Sequence, residues 1–361
     1  MNRNVNATME EIFKQLQTRV EDDDQARIAN VKRHIYPDGD LKETIEFVKR
    51  SELTAKTFGS FSIFVITHGE QRYILVPETC DKSLTQLGLK PVQELPICQG
   101  AGMLVFALQK WPVRGGIKSL DLVNDCLGIE EENVIFQFDE IREFFLPYVV
   151  YELDDSRFYI KYDQDISRLA CYILADMETS ITENTRVYAQ ELSLLMGSRS
   201  IAASMINSFK SQLLEYSFLQ WYQCIEYLFR INSGIVISEE HKISITTAID
   251  IVTENELRIT EEENLYRVIK NYASLQSIDF FVSTMKIPKE ANSDKIRVVS
   301  RHIYKLRCNI AHLRYNQEEI TTDVPWEKRI ECLAMIVLSI YQKCNEKIVL
   351  IGTEKSVWTS I

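Results

Sequence analysis

Between Lys295 and Gln317 the chain carries six Lys or Arg residues and no acid, although its formal net charge is −11. Such a local reversal suits a phosphate-bearing ligand. The competing reading is a solvated cationic face paired with acids elsewhere in the fold. Within this stretch four residues separate Arg307 from His312. A guanidinium is a fixed cation for charge building on a phosphoryl group. An imidazole exchanges protons near neutral pH.

One helix over roughly 293–313 is predicted to position both groups. Its apolar residues Ile296, Val299, Ile303, Leu306, Ile310 and Leu313 recur by threes and fours and define one buried stripe. At about 100° per residue, Arg307 falls on the edge of that stripe. His312 falls nearly opposite it, on the side of Arg297, Arg301, Lys305 and Cys308. His302 takes another side, which argues against a two-histidine acid–base pair within one helix. Pro325 opens a last helix, whose stripe is Trp326, Ile330, Leu333, Val337, Ile340 and Cys344.

Ile303-Tyr-Lys-Leu-Arg307-Cys-Asn-Ile-Ala-His312 resembles the R-x4-6-H signature of the HEPN superfamily. Glu215-Tyr-Ser-Phe-Leu-Gln-Trp-Tyr-Gln-Cys-Ile-Glu226-Tyr-Leu-Phe-Arg230-Ile-Asn232 looks like the long early helix of Apea-like HEPN domains. The resemblance covers about residues 195–350. Two positions depart from it. Cys308 stands where many catalytic members have a polar residue directly after the arginine, with Asn309 one place later. Tyr315 follows His312 by three residues rather than two.

The resemblance implies metal-independent RNA cleavage, with the ribose 2′-hydroxyl attacking the adjacent phosphate to leave 2′,3′-cyclic phosphate and 5′-hydroxyl ends. DNA, lacking that hydroxyl, would not react. Arg307 and His312 would be the catalytic pair, and a homodimer would bring two such pairs into one cleft. Asn309 would orient the phosphate or the imidazole, or is a surface polar residue. Arg301, Lys305, Arg314 and Tyr315 would contact the RNA backbone or pack on the surface. Glu226 and Arg230, spaced i,i+4, would pair on their helix or support the cleft.

Other chemistry finds no motif. Gly115-Gly116-Ile-Lys118-Ser119 lacks the Gly-Lys-Ser order of a phosphate loop. There is no G-x-G-x-x-G after a strand, no G-x-S-x-G elbow and no H-E-x-x-H helix. Asp38 with Asp40-x-Lys42, and Glu240-x-Lys242, imitate a metal-dependent nuclease but read as surface charges. With five histidines and no His/Cys cluster, neither a metal site nor a cofactor is expected.

The eight cysteines, Cys80, Cys98, Cys126, Cys171, Cys224, Cys308, Cys332 and Cys344, lie among apolar neighbours with no C-x-x-C spacing. They read as reduced core thiols. Neither an apolar leader after Met1 nor an apolar run of about 18 residues is present, so no membrane partner and a cytoplasmic location are expected.

The 361 residues suggest two domains, or one large one. Residues 1–185 are expected to form a mixed α+β domain, sensing or regulatory in role, that meets a protein or phage-derived trigger. Within it 5–35 reads as helix, interrupted by Glu21-Asp22-Asp23-Asp24, and a short helix follows near 41–50. Phe61–Ile66 and Tyr73–Val76 read as a hairpin across His68-Gly69-Glu70. Met103–Ala107, Val134–Phe138 and Phe158–Tyr162 read as further strands. Residues 186–361 are expected to form an all-α, HEPN-like bundle. One long helix spans 199–231 and ends at Asn232-Ser233-Gly234, and others lie near 239–252 and 260–275. The first functional reading is an endoribonuclease, a toxin or antiphage effector. The second is a non-catalytic module that binds nucleotide or RNA, or a dimerising scaffold.

Overall fold

The computed structural model describes residues 5–17, 32–58, 61–108, 111–112, 114, 133–153, 163–254, 260–288, 294–312 and 323–354. The chain divides into two compact units, Met1–Ile160 and Lys161–Ile361. The first is α+β and the second is all-helical among its described residues. The division falls before the helix Asp163–Met177, earlier than the step near residue 185 that the sequence pattern suggests.

In the first unit the described elements are helix α1 (Val5–Gln17), strand β1 (Lys32–Tyr36), helix α2 (Leu41–Arg50), strands β2 (Glu52–Phe58), β3 (Phe61–His68) and β4 (Gln71–Pro77), helices α3 (Asp81–Gln86) and α4 (Leu95–Phe106), strand β5 (Asn133–Gln137), helix α5 (Phe138–Arg142) and strand β6 (Tyr148–Glu152). Strands β2, β3, β4 and β6 form an antiparallel sheet in that order, while β1 and β5 pair in parallel. The β3–β4 hairpin closes on Gly69-Glu70, with His68 opposite Gln71. Gly69 takes φ 62° there, as a two-residue turn with glycine first requires. Ile63, Phe64, Val65 and Ile66 are all buried, as are Tyr73, Ile74, Leu75 and Val76. Both faces of the central strands are therefore covered.

Two segments of this unit differ from the sequence reading. Lys32–Tyr36 is strand rather than the tail of a helix, and its pairing with β5 supplies the reason: Ile35 and Phe136 are core residues side by side in that register. Met103–Phe106 belongs to a helix, not a strand. Helix α4 is buried continuously from Gln99 to Phe106, so no polar face marks its 3.6-residue period. Pro96 sits in its first turn. Gly100 and Gly102 let it approach neighbours closely: a Cβ on Gly100 would stand 2.6 Å from the Phe47 ring, and one on Gly102 would collide with the Tyr148 hydroxyl.

The nuclease-like carboxylates of this unit are structural. Asp40 caps α2, accepting from the backbone N–H of Lys42 and Glu43. Asp38 accepts from Gln99 Nε2 at 2.8 Å. The Glu21–Asp24 run, Phe158–Tyr162, Gly115–Ser119 and Cys126 lie outside the described residues.

The second unit contains α6 (Asp163–Met177), α7 (Glu183–Leu194), a 3-10 turn (Met196–Ile201), α8 (Ala202–Lys210), α9 (Leu214–His241), α10 (Ile245–Glu254), α11 (Glu261–Tyr272), α12 (Leu275–Thr284), α13 (Lys295–Ala311) and α14 (Trp326–Glu354). The single helix expected over 199–231 is broken at Ser211, whose backbone is extended. A hydroxyl bonds the backbone locally at this corner: Ser211 Oγ donates to Leu213 O at 2.8 Å, and Ser208 Oγ and Ser217 Oγ meet at 2.6 Å across it. Conversely, α9 runs straight through Asn232-Ser233-Gly234 instead of ending there. Asn232 accepts from Asn271 Nδ2 at 3.0 Å, and Gly234 admits Ile249 of α10 against the helix backbone. Those two residues serve packing rather than termination.

Val299, Ile303, Leu306 and Ile310 are all buried, so the stripe of α13 lies in the core. The stripe of α14 does the same through Ile330, Leu333, Val337, Ile340 and Cys344. Among the described residues no helix is long and apolar enough to cross a membrane.

Candidate functional site

Helix α13 begins at Asp294, whose carboxylate accepts from Ile296 N at 3.0 Å, and ends at His312. The backbone N–H of His312 reaches Cys308 O at 3.0 Å, and its φ of −100° takes the chain out of the helix. His312 is exposed. This is the outward placement expected from the wheel, and it leaves the imidazole in water at the helix end.

Arg307 lies on the border of core and solvent, its side chain 26 % exposed. Its Nε is 3.0 Å from Glu261 Oε1, in the first turn of α11, and its Nη2 is 3.4 Å from Glu226 Oε1 of α9. The guanidinium carbon stands 5.7 Å from the Tyr222 ring centroid. Tyr222 in turn donates to Glu261 Oε1 at 2.8 Å. Three helices thus fix one cation. Burial, and then the neighbouring Glu261 charge, raise the Glu226 pKa above the ordinary glutamate range. Burial, and then its hydrogen bond to Glu261, hold the Tyr222 hydroxyl in its neutral form.

Arg307 belongs to a wider pattern. Glu262 Oε1 lies 3.4 Å from Arg301 Nε, and Glu263 Oε2 lies 3.4 Å from Arg297 Nη1. Three consecutive acids of α11 therefore take three arginines of α13. Arg297 also stacks 3.9 Å over the Tyr266 ring, and Lys295 pairs with Asp279 at 2.8 Å. Much of the positive charge that stands out in the sequence is met by acids within the fold.

The remaining sequence candidates separate. Arg301 and Lys305 are exposed on the solvent face of α13. Asn309 is buried, 8 % exposed, so it is not the surface residue that one reading made it. Glu226 reaches across to Arg307 instead of serving a pair on its own helix, and Arg230 is exposed on α9. Arg314 and Tyr315 lie outside the described residues. His302 is half-buried with its ring 5.8 Å from Phe281, away from the Arg307 cluster. Glu261, Glu262, Glu263 and Tyr222 escaped the sequence reading. The signal for the acids was present: Thr260 followed by three glutamates marks a capped helix start, and Thr260 Oγ1 does accept from Glu263 N at 3.3 Å.

An open cleft of about 910 Å³, lined in part by Asp279, Phe280, Lys286, Ile287 and Lys295, lies at the opposite end of α13 from Arg307 and His312. Among the described residues, no group of three or more His, Cys, Asp or Glu side chains comes together as a metal site. No family model, no curated protein and no solved structure matches the chain.

Proposed function

We propose that this protein is a metal-independent endoribonuclease of HEPN type, acting in the cytoplasm as a toxin or antiphage effector. The observation that carries the reading is a water-accessible His312 at the end of the helix on which Arg307 is positioned by Glu261 and Glu226. A guanidinium at this border of core and solvent is a permanent cation for charge building on a phosphorane. In the reaction the 2′-oxygen bonds to phosphorus as its proton leaves, the P–O5′ bond breaks, and O5′ takes up a proton. His312 serves in proton transfer, and a second copy of the chain supplies the opposing imidazole. The α+β unit, Met1–Ile160, restrains the nuclease and meets its trigger.

The test is cleavage of single-stranded RNA by the full chain in EDTA. Products should carry 2′,3′-cyclic phosphate, and His312→Ala should lower the rate about 10²- to 10⁴-fold. Intact RNA with wild-type protein, in the presence of cell extract that supplies a trigger, would reject the enzyme.

A second reading, a non-catalytic RNA- or nucleotide-binding module or dimerising scaffold, is favoured by the three ion pairs that neutralise the arginines of α13. Under it, wild type and His312→Ala would leave RNA equally intact.

A further inference from the structure

We infer that the first turn of α11 is a built-in mimic of a polyphosphate strand, an autoinhibitory contact that occupies the basic face of α13 until a nucleic-acid backbone displaces it. The inference rests on the reading that this face takes RNA backbone.

Glu261, Glu262 and Glu263 hold Arg307, Arg301 and Arg297 of α13 respectively, at 3.0, 3.4 and 3.4 Å, and Glu263 also pairs with Arg267 of its own helix at 3.2 Å. The arginines are spread over ten residues of helix, a rise of roughly 15 Å. They thus form a track rather than a single-anion pocket. The acids are partly wet, 27, 38 and 33 % exposed. Pairs this exposed are individually weak, so an incoming phosphate can exchange for each carboxylate in turn.

The acids are not left stranded when they surrender the arginines. They occupy the N-terminal turn of α11, where the helix dipole favours negative charge, and Thr260 caps that turn. Glu261 keeps the Tyr222 hydroxyl at 2.8 Å. The released arginines gain phosphates in return. Both states of the contact are therefore electrostatically satisfied, as a displaceable restraint requires. The net charge of −11 adds to the restraint by disfavouring loose polyanion binding.

Fluorescence anisotropy of the full chain with a labelled 2′-O-methyl oligonucleotide measures binding without cleavage. Glu262→Gln/Glu263→Gln, and the triple variant with Glu261→Gln, should bind at least tenfold more tightly than wild type. The slope of log affinity against log salt should steepen by about 0.7 for each arginine freed. Adding Arg297→Gln and Arg301→Gln to the double variant should reverse the gain. If the triple variant does not fold, the double variant decides, because its two pairs lie on the exposed side. Affinity within twofold of wild type overturns the inference. So does an equal gain from the charge-matched Glu183→Gln/Glu191→Gln on α7.

RNA cleavage is scored separately. Tighter binding with no cleavage leaves the restraint standing and removes the nuclease. Cleavage without tighter binding removes the restraint alone.

Discussion

Helices α4 and α13 are both central to their units, and they are built on opposite principles. Every residue of α4 from Gln99 to Phe106 is buried. In α13 the core takes Val299, Ile303, Leu306 and Ile310, while Arg297, Arg301 and Lys305 face water. A helix enclosed on all sides is constrained everywhere and has no surface for chemistry. A helix with one wet edge can present a guanidinium and an imidazole while its other face secures it. The contrast explains why α13 was readable in advance and α4 was not, and why the candidate site sits on α13.

The contrast can be broken by substitution. Leu104→Ala in α4 and Leu306→Ala in α13, both fully buried, should each cost about 2–5 kcal/mol, read from urea unfolding. A much smaller loss at Leu306 would mean that the stripe of α13 is not a core face. Gly102→Ala adds a single methyl on another side of α4, against the Tyr148 hydroxyl and Phe138. Overpacking there should cost about 1–3 kcal/mol, and a neutral result would show that α4 has room on that side. Arg301→Ala, on the open face of α13, should change stability by no more than about 1 kcal/mol. A loss as large as that of Leu306→Ala would erase the distinction between the two helices.

The smallest effect is electrostatic. Because the fold raises the Glu226 pKa, through burial and then Glu261, the native state binds this proton more tightly than the unfolded chain does. The stabilisation from Glu226 is complete below the ordinary glutamate pKa. It is lost as pH rises through the raised value. Glu226→Gln cannot titrate, so its melting temperature relative to wild type should improve between about pH 4 and pH 7. A variant that falls further behind wild type at pH 7 would show that the ionised Glu226–Arg307 pair is the more stabilising form.

Legibility followed exposure and local pairing. The β3–β4 hairpin, α2, β5 and the stripes of α13 and α14 were visible because one face of each repeats, or because a turn residue marks the end. The edge strands β2 and β6 were not read as strands. At β2, exposed Glu52 and Thr54 alternate with half-buried Leu53 and Ala55, but Lys56 and Thr57 break the period before buried Phe58. Gly234 misled because a glycine late in a helix signals a C-cap equally well when it serves a close approach to Ile249. At the candidate site, Arg307 and His312 were singled out from the local charge reversal and the resemblance, and the acids that hold Arg307 were not.

Residue order alone put Arg307 and His312 on different sides of α13 and its C-terminal cap, since a helical period shows in neighbours three or four residues apart. That the Arg307 charge is shared between Glu261 and Glu226, the latter 81 residues away along the chain, follows from the packing of the helices and from nothing in residue order. Packing of α9, α11 and α13 brings those carboxylates to it, and Coulomb attraction depends on distance in space, to which spacing along a chain is blind.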